Sequence, residues 1–285
     1  MGRLDFPGTP PYLPPRMARF HKMHGLGNDF VLFDAREQPI ALTPEQARTV
    51  ADRHTGVGCD QVILIEPAPE GVSMRIWNAD GGEVEACGNA SRCVAALVGP
   101  GPIHTKGGQL YGAPAINGVV VTLPPPRFEW DQIPLAYPVD TGAMPVGWEM
   151  GGAWLQEPAA VNVGNPHLVF IHEGIQAEWL AEAGPGIETD PLFPEKINVN
   201  VATAYAGNVL TLYTWERGVG LTHSCGTGAC ATAVVAIRRG DAKSPVTVNT
   251  PGGDIVVEWE GGPIRMTGPA THVFTGEVDL GALGG

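Results

Sequence analysis

The chain has few cysteines, and their number and spacing argue against several classes of protein. Five cysteines occur in 285 residues, and no two of them form a Cys-x-x-Cys motif. A disulfide scaffold, a zinc ribbon and a thiol redox protein are therefore not predicted. Unpaired cysteines are typical of a reducing compartment, so we expect a cytoplasmic protein.

Positive charge and long apolar runs are also scarce. Lys and Arg number 17 against 30 Asp and Glu, which gives a net charge of −13. Such a chain is poorly suited to nucleic acid or an anionic membrane surface, and we expect neither as a partner. No apolar run approaches the roughly 18 residues of a membrane-spanning helix. The first residues lack the apolar region of a signal peptide.

Glycine and proline, in contrast, are abundant. The 39 glycines and 27 prolines, in a chain that is 44% hydrophobic, indicate a globular protein of many short strands and turns. The length suits about two domains. Residues 1–16 are rich in proline and are predicted to be a disordered tail, with Met17 as a candidate natural start.

An internal repeat organises the remainder of the chain. At a shift of 138 positions, residues 74–89 align without gaps on residues 212–227, and the alignment matches Trp77 with Trp215 and Cys87 with Cys225. At a shift of 137, residues 27–33 align on residues 164–170. Polar residues recur with the apolar ones. We therefore predict an α+β fold of two pseudo-symmetric domains, each with strands wrapped around a central helix, and a shared site in the cleft between them.

The two repeated cysteines each precede a run of small residues that favours a helix. We expect Asn89 and Thr227 to be the N-caps of these helices, and Arg238-Arg239-Gly240 to end the second one. A cysteine at a helix N-terminus lies where the dipole favours a thiolate. A single buried cysteine is more often structural, but the repetition favours a functional pair.

A pair of thiols facing one carbon atom could remove a proton from one side and deliver a proton to the other. This acid–base chemistry inverts a stereocentre. The helix N-termini would bind a carboxylate, and repeated amide side chains suit the ammonium and carboxylate groups of an amino acid. Glu216 and Arg217 break the symmetry of the repeat with one charge of each sign. The predicted substrate is an amino acid with two charged ends.

Several long motifs resemble those of the diaminopimelate epimerase family. They include Lys22 to Phe30, Gly58-Cys59-Asp60-Gln61, Ala86-Cys87-Gly88-Asn89, Gly164-Asn165-Pro166-His167 and Glu216-Arg217-Gly218. The resemblance extends from about residue 19 to about residue 278. It implies interconversion of LL- and meso-diaminopimelate without pyridoxal phosphate or metal, in lysine and peptidoglycan synthesis, by a protein that tends to form homodimers.

The resemblance also implies roles for individual residues. Cys87 and Cys225 would be the base and the acid, and His167 and Glu216 would tune them. The predicted substrate-binding residues are Asn28, Gln61, Asn78, Gly88, Asn89, Asn165, Asn198, Glu216, Arg217, Gly226 and Thr227. Ala90-Ser91 and Leu221 to Ser224 depart from the usual family pattern, so fine substrate preference is open.

The predicted domain boundaries follow the repeat. Residues 17–133 would form the first domain and residues 134–270 the second, while residues 271–283 would return to the first. Three alternatives remain from the sequence. Proline and hydroxyproline racemases share the cysteine pair but have less use for Glu216-Arg217, phenazine-type isomerases lack the pair, and a non-catalytic amino-acid-binding protein would not need it.

Overall fold

The structure is a computed structural model that describes residues 17–283 and has an α+β fold. The predicted proline-rich tail at residues 1–16 lies outside the described residues. Within residues 17–283, no helix is long and apolar enough to cross a membrane. The helices are α1 (Pro44–Ala51), α2 (Gly88–Val98), α3 (Ala177–Glu188) and α4 (Gly226–Arg239).

The strands form two matching series, a hairpin between them and a terminal strand of nine residues. The first series is β1 (Met17–Gly25), β2 (Asn28–Asp34), β3 (Gln61–Pro67), β4 (Val72–Asn78), β5 (Glu83–Val84), β6 (Gly101–Thr105), β7 (Gly108–Ala115) and β8 (Gly118–Leu123). A hairpin follows, β9 (Gly147–Met150) and β10 (Ala153–Gln156). The second series is β11 (Ala159–Asn162), β12 (Pro166–Ile171), β13 (Asn198–Tyr205), β14 (Val209–Glu216), β15 (Gly220–Thr222), β16 (Val246–Thr250), β17 (Gly253–Glu258) and β18 (Ile264–Gly268), before β19 (Thr271–Asp279).

The pairing of these strands reproduces the repeat that the sequence predicts. In the first series β2 lies parallel to β3, β3 antiparallel to β4, and β4 parallel to β6. In the second series β12 lies parallel to β13, β13 antiparallel to β14, and β14 parallel to β16. The registers correspond as well, since Phe30 pairs with Gln61 and His167 pairs with Asn198. The pseudo-symmetric two-domain fold is confirmed.

One continuous sheet joins the two halves. The two halves meet at β8 and β18, which pair antiparallel from Gly268 opposite Val119 to Ile264 opposite Leu123. At the far end of the first half, β19 pairs antiparallel with β1. The order of strands is therefore nearly the same when it is read outward from the β8–β18 pair in either direction.

Each half wraps its strands around one helix made of small residues. α2 contacts β1, β2, β6, β7 and β8, and α4 contacts the corresponding strands β11, β12, β16, β17 and β18. Every residue of α4 from Gly226 to Ala236 is buried. A helix rich in alanine has small side chains, so strands can pack closely on all sides of it. Such a helix has no solvent-facing side and therefore does not need a polar face.

The helix ends agree with some of the predicted capping residues and differ from others. Thr43 caps α1 in a capping box with Gln46, as the Thr-Pro-Glu-Gln sequence predicts, although the helix ends at Ala51. Gly240 ends α4 in the left-handed conformation, also as predicted. The N-cap prediction at Asn89 and Thr227 is wrong, because the capping residues are the cysteines themselves.

The third helix is longer than its sequence suggests. A helix is predicted around Glu178 to Ala183, but α3 extends to Glu188 and includes Pro185. Its apolar residues pack in a separate cluster with β9, β10 and Phe170. Tertiary packing of Leu180 and Ile187 therefore outweighs the local cost of proline within a helix.

Candidate active site

The N-termini of α2 and α4 meet at two glycines. A Cβ atom added to Gly88 would lie 3.1 Å from the Cα atom of Gly226, and one added to Gly226 would lie 3.1 Å from the Cα atom of Gly88. Each glycine directly follows one of the repeated cysteines. The missing side chains let the two helix ends touch, so their free N–H groups and positive dipole ends converge on one place.

Cys87 caps α2 with its sulfur atom. The N–H of Ala90 donates to Cys87 Sγ at 3.5 Å, and the thiol donates to Asn28 Oδ1 at 3.8 Å. The residue is partly exposed. Cys87 therefore has a backbone donor behind it and a neutral acceptor in front of it.

Cys225 caps α4 in the same manner but meets a different acceptor. The N–H of Gly228 donates to Cys225 Sγ at 3.3 Å, and Thr227 Oγ1 lies 3.5 Å from the same sulfur. The Glu216 carboxylate lies close enough for its charge to act on the Cys225 thiol. Thr222 Oγ1 donates to Glu216 Oε1 at 2.6 Å and so fixes the carboxylate. The second thiol thus has a carboxylate nearby where the first has an amide.

The expectation that the helix dipole gives thiolates is wrong for this structure. Burial raises the pKa of Cys87 to about 12, and the nearby Glu216 charge adds to the effect. Burial and Glu216 likewise raise the pKa of Cys225. Loss of water around a sulfur anion outweighs the two hydrogen-bond donors that face each sulfur. Both cysteines are therefore neutral thiols when the cleft is empty.

Glu216 itself has a shifted pKa. Burial raises the pKa of its carboxyl group to about 6, while the hydrogen bond from Thr222 lowers it in part. The carboxylate form is favoured at neutral pH, and it is lost as the pH falls through this value. Only the carboxylate can take up a proton from Cys225, because a protonated carboxyl group still accepts hydrogen bonds but is no longer a base.

We therefore expect activity to fall as the pH drops through about 6, the pKa of Glu216. Glu216→Gln should lower kcat by about 10²–10⁴-fold, the usual range for a general base, and should remove this acid limb. His167→Gln is the matched control, since burial lowers the pKa of His167 to about 3 and the ring stays neutral throughout. The measurement is kcat against pH for the three proteins. An acid limb that persists in Glu216→Gln would assign it to another group.

Two further amides of the first half, those of Gln61 and Asn78, contact each other. Gln61 Nε2 donates to Asn78 Oδ1 at 2.8 Å, as expected for residues paired in register across β3 and β4. Gln61 Oε1 is buried without a hydrogen-bond partner in the described part of the chain. A buried acceptor of this kind is costly unless a ligand donates to it. The oxygen of Gln61 is thus a candidate contact for an ammonium group.

Amides of the second half surround His167. Its Nε2 lies 2.9 Å from Asn165 Oδ1, and Asn200 Nδ2 donates to its Nδ1 at 3.1 Å. The ring therefore carries its hydrogen on Nε2 and orients Asn165. Asn198 Oδ1 accepts the backbone N–H of Arg217 at 3.0 Å. Sequence reasoning missed Asn200, although the alternating Asn-Val-Asn of β13 places it on the same face as Asn198.

The side chain of Arg217 bridges the two halves. Its Nη2 donates to Glu85 Oε2 at 2.9 Å, and its Nη1 donates to the carbonyl of Glu195 at 3.0 Å. Glu85 lies two residues before Cys87. The guanidinium is therefore held at the cleft by a partly exposed carboxylate that a substrate carboxylate could replace.

A small pocket of about 140 Å³ lies between the halves. Its size suits a small polar molecule more than a large cofactor. Residues of both halves line it, and three of them belong to the segment that departs from the family pattern: Gly27, Asn28, Asp60, Gln61, Glu216, Val219, Leu221, Thr222 and His223. Among residues 17–283, no group of three or more His, Cys, Asp and Glu side chains is arranged to hold a metal ion.

Solved structures share this fold. The chain superposes with a TM-score of 0.69 on a hydroxyproline epimerase from Agrobacterium vitis, at 15% identity and with 92% of each chain covered. It superposes with a TM-score of 0.63 on a phenazine biosynthesis protein of the PhzF family from Bacillus anthracis, at 15% identity, covering 92% of this chain and 99% of that one. Likeness at this identity shows the fold alone.

Sequence comparison shows the family. Residues 20–111 and 159–273 match the family model described as diaminopimelate epimerase. The chain is 59% identical over 269 residues to the diaminopimelate epimerase of Sphingopyxis alaskensis, covering 93% of this chain and 99% of the relative. It is 60% identical over 270 residues to that of Rhizorhabdus wittichii, covering 93% and 97%. With its paired cysteines at two touching helix ends, this chain belongs to the diaminopimelate epimerase family.

Proposed function

We propose that this protein inverts the α carbon of diaminopimelate, from the LL to the meso isomer. One of the two residues Cys87 and Cys225 removes the α proton, and the other delivers a proton to the opposite face. The observation that carries the proposal is that each thiol caps a helix and that the two helix ends touch at Gly88 and Gly226. An isomerase of this family acts in lysine biosynthesis, and we infer that its product also serves peptidoglycan synthesis.

The helix N-termini would hold the carboxylate of the reacting centre. The N–H groups of Gly88, Gly226 and Thr227 belong to the first turns of the two helices and would be the donors. When the α hydrogen leaves, its electron pair is delocalised into this carboxylate. The same N–H groups then stabilise the added negative charge, which lowers the barrier to proton removal.

The proton transfers balance over one turnover. One sulfur is ionised, takes the α hydrogen and becomes a thiol, while the opposite thiol gives its hydrogen to the other face and becomes a thiolate. Glu216 can take the proton of Cys225 when that thiol ionises, and this proton returns to the protein's thiols through solvent after product release. Asn28 Oδ1 only accepts a hydrogen bond from the Cys87 thiol and takes no proton. A bound ammonium group supplies the positive charge that makes a thiolate accessible despite burial.

The far end of the substrate would be bound by Arg217. Arg217→Ala should raise KM for diaminopimelate by about 10- to 100-fold, the loss expected for a charged hydrogen-bond pair, with a smaller change in kcat. Glu85→Gln should lower KM, because Glu85 competes for the same guanidinium. Steady-state kinetics with diaminopimelate and with proline make the measurement. A protein that epimerises proline as well as diaminopimelate, with or without Arg217, would contradict this role.

We also propose a homodimer that forms through β19. Among the described strands β19 pairs only with β1, and its Val273 and Phe274 side chains are 55% and 47% exposed. An edge strand with exposed apolar side chains favours pairing with a second copy. Light scattering decides this, since Phe274→Asp should give a monomer.

A cytoplasmic location is proposed as well, because all five cysteines are free.

A further inference from the structure

Arg92 is a buried cation whose partners are all neutral. Its side chain is fully buried in α2, five residues after Cys87. It donates to Pro269 O at 3.2 Å, to Met266 Sδ at 3.4 Å and to Asn89 Oδ1 at 2.8 Å. A guanidinium buried without a carboxylate is costly, so the position calls for an explanation beyond packing.

A directional chain of hydrogen bonds runs from Arg92 to the cleft. Arg92 Nη2 donates to Asn89 Oδ1, Asn89 Nδ2 donates to Asn28 Oδ1 at 3.2 Å, and Asn28 Nδ2 donates to Asp60 Oδ2 at 2.9 Å. A guanidinium only donates and a carboxylate only accepts. The charges at the two ends therefore determine which way both amides between them point.

The direction of these hydrogen bonds decides which atom of Asn28 faces Cys87. With this orientation Asn28 presents its oxygen to Cys87 Sγ, whereas a reversed amide would present its NH₂ group. Asn89 Nδ2 also donates to the carbonyl of Ser224 at 2.6 Å, directly before Cys225. The chain thus ties the first helix end to the segment that carries the second thiol.

In the second half of the repeat, no arginine occupies the helix position that corresponds to Arg92, so the equivalent series of hydrogen bonds cannot start there. At the shift of 138 positions Arg92 aligns with Cys230, which is buried in α4. There the oxygen near the thiol belongs to the carboxylate of Glu216, which needs no amide to be oriented. The repeat thus supplies each thiol with an acceptor oxygen in a different way.

We propose that Arg92 and Asp60 are positioning residues that set the direction of the Asn89 and Asn28 amides and so hold an acceptor oxygen against Cys87. This inference rests on the proposed role of Cys87 as an acid–base group. The charged groups that act on Cys87 are Glu216, which disfavours the thiolate, and Arg92, which favours it, together with the N–H groups of Ala90 and Asn89.

Asp60→Asn tests the proposal at the solvent-facing end of the chain. An asparagine can donate as well as accept, so the direction is then enforced from the Arg92 end alone, and the Asn28 amide can turn its NH₂ group to the sulfur for part of the time. We expect kcat to fall about 10- to 100-fold with KM changed less than about threefold. In the free protein, Cys87 should react with iodoacetamide at a pH about one unit lower, because a donor now stabilises the thiolate.

Asp52→Asn is the matched control. Asp52 accepts hydrogen bonds from the backbone N–H groups of His54 and Thr55 and has no part in the hydrogen bonds that link Arg92 to Asp60. It should keep the wild-type kcat and alkylation profile. At the buried end, Arg92→Lys retains a donor that cannot accept and should keep about tenfold more activity than Arg92→Met. Asp60→Asn with wild-type kcat and an unshifted alkylation profile would overturn the proposal, as would equal losses in the two Arg92 variants. The alkylation shift is measured without substrate, so it stands apart from the test of the reaction itself.

Discussion

Replacement of either Cys87 or Cys225 by alanine is expected to abolish epimerisation while the fold persists. Each sulfur is proposed to serve one face of the α carbon, so the remaining thiol cannot complete the inversion. The loss should reach about 10³-fold or more in kcat, because a missing acid or base is not compensated by its partner. Stability should fall by only about 1–2 kcal/mol, the cost of a lost N-cap and a small cavity.

The matched control for the cysteine variants is Cys93→Ala. Cys93 lies within α2, six residues after Cys87, and is buried in the hydrophobic core. This variant should lose stability and keep its kcat. The measurement is a coupled assay of meso-diaminopimelate formation with thermal unfolding of each variant. Near wild-type rates in Cys87→Ala or Cys225→Ala would remove the two-thiol scheme.

Gly88→Ala is expected to have the second largest effect. The added Cβ would lie 3.1 Å from the Cα atom of Gly226 and 3.1 Å from Met266 Cε, so backbone must move. The helix ends would separate by a fraction of an ångström, and both thiols and the carboxylate site would lose their alignment. We expect kcat to fall about 10²-fold, as for other small misplacements of reacting groups, with a stability loss of about 1–3 kcal/mol.

A glycine in an open helix surface provides the control. Gly186 lies in α3, and a Cβ added there meets no atom within 4 Å. Gly186→Ala should keep full activity and gain up to about 1 kcal/mol of stability, because alanine favours a helix. If Gly88→Ala behaved like Gly186→Ala, close contact of the two helix ends would not be needed for catalysis.

The sequence allows the fold and the paired site to be predicted because the repeat contains polar residues. Apolar repetition alone would indicate a repeated core, but Cys87 and Cys225 recur together with Asn28 and Asn165 at spacings that differ by one residue. Since both halves fold alike, equivalent side chains reach equivalent places, and two halves joined by one sheet bring those places together. The symmetric strand order follows from the same repetition.

Other features depend on contacts that spacing does not encode. The helix-dipole argument predicts thiolates, yet burial between two domains keeps both cysteines neutral. The contacts of Asn200 with His167, and of Arg92 with Asn89, join residues whose side-chain directions are set only by packing. The sequence predicts that Arg217 binds substrate and gives no sign of a partner within the protein, but in the structure its guanidinium donates to the Glu85 carboxylate.

The central claim is that two thiols act on opposite faces of one carbon, and hydrogen-isotope exchange tests it most directly. LL-diaminopimelate is converted by the wild-type protein in deuterium oxide and analysed by mass spectrometry at low conversion. Two thiols predict that the meso product carries one deuterium at the inverted carbon while the remaining LL substrate still carries hydrogen. Equal deuterium content in recovered substrate and product would show that a single group exchanges the proton on one face, and would contradict the account.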